Sequence, residues 1–418
     1  MCTSGEASAL SELSCEVAAK LGNPSGRILV AALPLVADRA LPAPTGDGLS
    51  DRLATAVATQ FGTGSRVARA ATLSAARALA NGESRVVLVA GTLSGGELRI
   101  TADSYPVSGG FWDRVRGVPS SPTAHARAVR SIDAEVAALL PPVNLATRAV
   151  EKVPASGDVA VALSCGDVAG DGATALVVVG RHRVALERLA AGHFVTVTES
   201  PWTKLSPVSP APLREPIGAA VIRPNHVVDV GLTDRERGLR LSATLDVVAP
   251  LGGLVPVFGA GCLGRSGLGV GHAKPCATGE TPRLDLSAAS DVDAVAGANS
   301  VERDGSARSL VALRHRTDGT VTLRDDRGQT ATIPDVGASL AVGDLDLDGD
   351  PELVASVNTP NPADDAVVVR TWGHDGTVRE RFRVPVPEGV HAVAICPPTG
   401  ASIRPVVIAT ASGFWVLR

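Results

Sequence analysis

Ala341-Val-Gly-Asp-Leu-Asp-Leu-Asp-Gly-Asp-Pro-Glu-Leu-Val354 sets five carboxylates at alternate positions between two strand-like runs. Counted from Asp344, acids stand at positions one, three, five, seven and nine: Asp344, Asp346, Asp348, Asp350 and Glu352. Gly349 takes position six. A hard cation needs roughly six to eight oxygen ligands at about 2.3–2.6 Å, and alternate acids around a glycine turn can supply them, Asp350 through its backbone carbonyl. The helix–loop–helix form of such a site does not fit. It requires a glutamate at position twelve and a helix on each side, whereas Leu353-Val-Ala-Ser-Val357 reads as a strand. A polar hairpin turn that binds nothing is the competing reading, because aspartate and glycine also favour ordinary turns.

The order apolar strand, D-x-D-x-D-G-x-x-E, apolar strand resembles the FG-GAP or VCBS-type repeat of calcium-binding β-propellers. That resemblance implies a structural Ca2+ tying a loop between two strands of one blade. Metal-assisted hydrolysis would need an open coordination position and a nearby base, and nothing local suggests either.

Working outward, Ala160-Val-Ala-Leu-Ser-Cys-Gly-Asp-Val-Ala-Gly-Asp-Gly-Ala-Thr-Ala-Leu-Val-Val-Val179 matches the same outline with Asp167 and Asp171 at positions one and five. Ala169 and Ala175 stand at positions three and nine, so this copy is read as structural only. A third copy, His391-Ala-Val-Ala-Ile-Cys-Pro-Pro-Thr-Gly400 with Val406-Val-Ile-Ala-Thr410, has the strands and no acids. Asp-Gly-Thr-Val follows a strand at 318–321 and again at 375–378, as hairpin tips do. At about 40–50 residues per four-stranded blade, residues 157–418 hold about six blades, with five or seven left open. The second blade is weakly marked around 221–231. Residues 256–300 are the least readable.

The first part of the chain has a different texture. Helices are expected at 5–21, 47–61, 71–81 and 123–140, and strands at 27–34, 65–69, 85–92 and 97–105, the last two joined through Ser94-Gly-Gly96 as a hairpin. A loop carrying Phe111 and Trp112 follows. The strand with its Leu33-Pro34 end, the helix opened by Gly48-Leu-Ser-Asp51 and the Val89-Ala-Gly-Thr92 strand together resemble the N-terminal domain of the TolB (Tol-Pal translocation) family and of related curli-secretion-type envelope lipoproteins. Those families imply an envelope role in assembly or protein contact and bring no catalytic residues.

Composition narrows the function classes. A net charge of −4 without a basic patch gives nucleic acid no footing. Aromatic residues at 3% weaken a sugar cleft or a single-strand stacking platform. No run of about 18 apolar residues is present to span a membrane. Cys2 stands where a mature bacterial lipoprotein begins, which makes it a candidate lipidation site, with an incidental cysteine as the alternative. The other cysteines, at 15, 165, 262, 276 and 396, lack metal-type spacing; Cys262 and Cys276 bracket a glycine-rich loop and are open to bridging in an oxidising compartment.

Other constellations are weak. Gly259-Ala-Gly-Cys-Leu-Gly264 has the form G-x-G-x-x-G, but the glycine-rich 265–271 does not read as the helix a dinucleotide needs. Asp234 with Glu236 and Asp325 with Asp326 sit beside arginines and are read as solvated hairpin tips. The eight histidines are scattered.

The expected architecture is α+β and multidomain: a TolB-like α/β sandwich at 1–145, a linker at 146–156, and an FG-GAP-type β-propeller at 157–418. The expected function is a non-enzymatic binding or scaffold lipoprotein of the bacterial cell envelope, in the periplasm or at the outer membrane, contacting envelope proteins. The competing class is a propeller-based polysaccharide lyase or hydrolase, favoured if acids, histidines or arginines converge on one propeller face.

Overall fold

The computed structural model describes residues 8–22, 26–38, 43–107, 121–143, 145, 149–154, 158–190, 193–206, 208–211, 216–223, 225–259, 261–266, 269–280, 291–398 and 404–418. They form two compact units divided chiefly after Val143.

In the first unit, helix α1 (Ala9–Leu21) begins after Ser8, whose hydroxyl accepts the Ser11 N–H, and buries Leu10, Leu13, Val17 and Leu21 along one stripe. There follow β1 (Ile28–Ala32), β2 (Val36–Ala37), α2 (Ala43–Phe61), β3 (Ser65–Arg69), α3 (Leu73–Leu79), β4 (Arg85–Ser94), β5 (Glu97–Pro106) and β6 (Ala124–Ser131). The sheet runs β3-β1-β4-β5-β6, parallel across β3, β1 and β4 and antiparallel beyond, with β2 also on β4. β4 turns into β5 through Gly95 and Gly96, both at positive φ, as a two-residue hairpin demands.

The helix expected at 123–140 is replaced by β6 and a single turn at Ala134–Ala137. Ala126 and Ala128 are buried while His125 and Arg127 point outward, so the period is two, and β5 supplies the ladder. Phe111 and Trp112 lie outside the described residues.

In the second unit the described strands pair antiparallel, with short helical turns at Trp202–Leu205 and Pro362–Asp364. β7 (Val150–Pro154) falls inside the stretch expected to be a linker. The first blade contains β8 (Ala160–Gly166), β9 (Ala175–Gly180), β10 (Arg183–Ala190) and β11 (His193–Pro201), and the second β12 (Gly218–Ile222), β13 (Val228–Leu232), β14 (Leu239–Leu241) and β15 (Val247–Pro250). A seven-stranded sheet comes next: β16 (Val255–Pro256), β17 (Gly261–Ser266), β18 (Gly269–Pro275), β19 (Val292–Val301), β20 (Ala307–His315), β21 (Val321–Asp325) and β22 (Thr330–Ile333). The third blade holds β23 (Val336–Gly343), β24 (Glu352–Val357), β25 (Ala366–Trp372) and β26 (Val378–Pro385). β27 (Ala392–Ile395), β28 (Val406–Ala409) and β29 (Gly413–Leu417) form the last, and β7 completes it as the outer strand on β29.

The arrangement is propeller-like, with four four-stranded blades among the described residues rather than about six. Where two further blades were expected, the seven-stranded sheet is continuous, although β18 meets β19 only at Val270 opposite Val292. Repeat length counts strands; it does not show whether neighbouring strands stay paired. The described part of the glycine-rich stretch lies in the paired strands β17 and β18.

Face-to-face packing explains the unbroken apolar runs. In β9, Val177 and Val179 pack with Val228, Val230 and Leu241 of the second blade, while Leu176 and Val178 pack with Val407, Phe414 and Val416 of the last. Both faces of the strand are therefore dry, and every residue from Ala175 to Gly180 is buried.

Candidate metal centre

β23 and β24 pair with Val342 opposite Leu353 and Gly343 opposite Glu352, so the acid loop is the connection at the end of this ladder. Its folding is local. The Asp344 carboxylate accepts the Asp348 N–H at 3.1 Å and the Gly349 N–H at 2.9 Å, and Asp348 accepts the Asp350 N–H at 2.8 Å. Gly349 is at φ 91°. Leu347, at φ 58°, occupies a left-handed conformation that a branched side chain rarely adopts, and with Leu345 it is buried beneath the loop.

This conformation gathers Asp344, Asp346 and Asp348, each offering an oxygen, with the three oxygens within 4.8 Å of one another. Asp346 is 7% exposed, and its Oδ1 is buried with no hydrogen-bond partner. Burial is the main cause that pushes the Asp344 carboxyl up to about 7, with the neighbouring acids adding to it and Arg404 opposing. Asp346 is raised to about 6 by burial and then by the Asp348 charge. Burial also drives Glu352 well above the usual carboxylate range. Acids crowded in a low-dielectric loop repel one another unless a cation joins them, and an orphaned buried oxygen is what a cation would satisfy. The donor set is all oxygen, which suits calcium.

The other two predicted acids are placed differently. Glu352 opens β24 and spends both oxygens on the scaffold, accepting the Leu345 N–H at 2.7 Å and the Thr371 hydroxyl at 2.7 Å. Asp350 turns a carboxylate oxygen toward His374 Nε2 at 3.3 Å. Thr371, His374 and Arg404 were not singled out from sequence, since strand pairing and sheet packing bring them to the loop.

The copy in the first blade has the same skeleton. Asp167 accepts the Gly170 and Gly172 N–H groups at 2.7 and 2.9 Å, and Asp171 accepts the Ala173 N–H at 3.0 Å. The bonds from position six to one and from seven to five recur. Here a guanidinium supplies the positive charge: Arg188 Nη2 lies 2.8 Å from Asp171 Oδ2. Of the third copy, residues 399–403 lie outside the described residues.

Two disulfides are present among the described residues with both partners described. Cys262–Cys276 realises the bridge left open by sequence, and Cys165–Cys396 was not foreseen. The available signal was that both cysteines stand at the end of the first strand of a repeat copy, Cys165 one residue before the end of β8 and Cys396 directly after β27. Cys2 lies outside the described residues.

Of the two acid pairs read as solvated tips, each has its first member buried and its second exposed. Asp325 is 3% exposed, ion-paired at 2.9 Å with Arg308, which lies over the Trp372 ring. Asp326 accepts the Ser309 N–H, and Asp234 is buried beside Arg235 at 3.3 Å. Asp326 and the Glu236–Arg237 pair are exposed. Asp234 and Asp325 pair inward, which neighbouring arginines in sequence did not reveal.

Fold and loop together define a propeller-like β protein with a buried acidic loop in one blade. No family model matches the chain, and no curated protein matches it. Among solved structures, TolB from Acinetobacter baumannii is similar over 95% of this chain and 94% of that one, at 12% identity and a TM-score of 0.28. Likeness at that level adds no argument to those the strands themselves supply.

Proposed function

We propose that this chain is a non-enzymatic binding or scaffold protein that works outside the cytoplasm and presents a β-propeller held in shape by one structural calcium ion. The observation that carries the metal is the buried, unpartnered Oδ1 of Asp346, whose carboxylate is clustered with those of Asp344 and Asp348. In this reading Asp344, Asp346 and Asp348 bind through carboxylates, Asp350 through its carbonyl, and Glu352 orients the loop from behind.

An extracytoplasmic setting is supported by Cys165–Cys396 and Cys262–Cys276, since such bridges persist where thiols are not kept reduced. The partner class is an envelope protein, and the FG-GAP-type repeat is the family reading that the loop geometry favours. Native mass spectrometry of the full chain should show one calcium per chain, absent from Asp346→Ala. Affinity capture from envelope extract should then retain a protein in calcium and release it in chelator. A chain without bound calcium would contradict the metal, and turnover of a polysaccharide or phosphate ester with no captured protein would contradict the scaffold.

A further inference from the structure

Arg404 comes from the last blade, directly before β28, yet it lies against the acid loop of the third. Its backbone N–H donates to the Leu345 carbonyl at 2.8 Å, so the chain entering β28 is fastened to position two of the loop. Its guanidinium lies alongside, with Nη1 3.7 Å from where a Cβ on Gly343 would stand, one residue before Asp344. That charge acts on Asp344 against the effect of burial. Two other basic side chains face the loop: Arg381, exposed on β26, acts on Asp346, and His374 contacts Asp350. Arg404 differs from both in having its Nε fully buried, where water screens a charge least.

We propose that Arg404 is a tuning residue of the metal centre: it is the built-in counter-charge of the Asp344 side of the cluster, and by repelling the incoming cation it sets the calcium affinity of the neighbouring blade. The inference rests on the calcium reading of the loop. The first blade shows the same exchange carried to its end, because there three of the five acids are missing and Arg188 is ion-paired with Asp171. A guanidinium and a divalent cation attracted to the same carboxylates oppose each other. Calcium binding in the third blade is thereby coupled to the seating of the last one.

The backbone bond to Leu345 does not depend on the Arg404 side chain, so substitution tests the charge while leaving that tie in place. Calorimetric titration of the full chain with calcium should give about tenfold tighter binding for Arg404→Ala and Arg404→Gln, as expected from removing one nearby like charge at intermediate dielectric. Arg404→Lys keeps the charge and should stay within about twofold of the parent. Thermal melting in chelator should show the Ala and Gln chains losing stability relative to the parent, and calcium should restore them by a larger increment. Unchanged or weaker calcium binding in folded Arg404→Ala and Arg404→Gln would overturn the role of Arg404. A parent that binds no calcium would instead overturn the metal centre itself. If Arg404→Ala does not fold, Arg404→Gln, closer in size, decides the matter by the same titration.

Discussion

Cys165 and Cys396, 231 residues apart in the chain, are joined by a disulfide between the first strands of the first and last blades. The same two blades share a packed core in which Leu163, Leu176 and Val178 meet Ala394, Val407 and Phe414. On the outer side of the last blade, β7 pairs with β29 from Val150 opposite Leu417 to Gly413 opposite Pro154. The second unit is thus closed by a strand supplied from its beginning and by a covalent link on its inner strands. A long loop closed in this way loses much of the freedom that its unfolded chain would otherwise gain.

Removing the link should be measurable. Cys165→Ala with Cys396→Ala should cost about 2–4 kcal/mol in denaturant unfolding under non-reducing conditions. An unchanged midpoint and slope would show that strand pairing and packing alone close the unit.

Proton linkage at the acid loop has a definite sign. In the metal-free chain the Asp344 and Asp346 carboxyls titrate at about 7 and about 6, above the ordinary 3.8, so the folded state holds protons that the unfolded state has released. Stability from these groups is fully present below about pH 4 and is lost as pH rises through 6 and 7, on the order of a few kcal/mol for the coupled pair. Chemical unfolding in chelator at pH 5 and pH 7.5 should show the fall, and saturating calcium should flatten or reverse it. Equal slopes with and without calcium would count against a metal bound to these acids.

Asp229 gives a prediction independent of metal. Its fully buried carboxylate is held by Arg223 at 2.7 Å and Arg240 at 2.7 Å, and Arg240 also reaches Glu280 at 2.9 Å. Asp229→Ala leaves two arginines without their shared partner and should destabilise the chain by about 3–5 kcal/mol in denaturant unfolding. A change below ~1 kcal/mol would mean that the guanidiniums reach solvent when the acid is removed.

The acid loop was legible because alternate aspartates and a turn glycine are a local pattern, and its copy at Asp167 was legible by comparison with it. The destinations of Glu352 and Arg404 were not. Glu352 meets Thr371 through pairing of β24 with β25, and Arg404 meets Leu345 through packing between blades. Neither relation leaves a trace in spacing. β6 was misread because its alanines are strong helix formers, and the Ala-His-Ala-Arg-Ala alternation that betrays a strand is short. The blade count was overestimated because the hairpins of the seven-stranded sheet look in sequence like those of separate blades.

Calorimetric titration of the chelator-treated full chain with calcium, repeated on Asp346→Ala combined with Asp348→Ala, tests the central claim most directly. One site per chain in the parent and none in the double variant is the predicted result; a parent that takes up no calcium, or a variant that binds as the parent does, would contradict it.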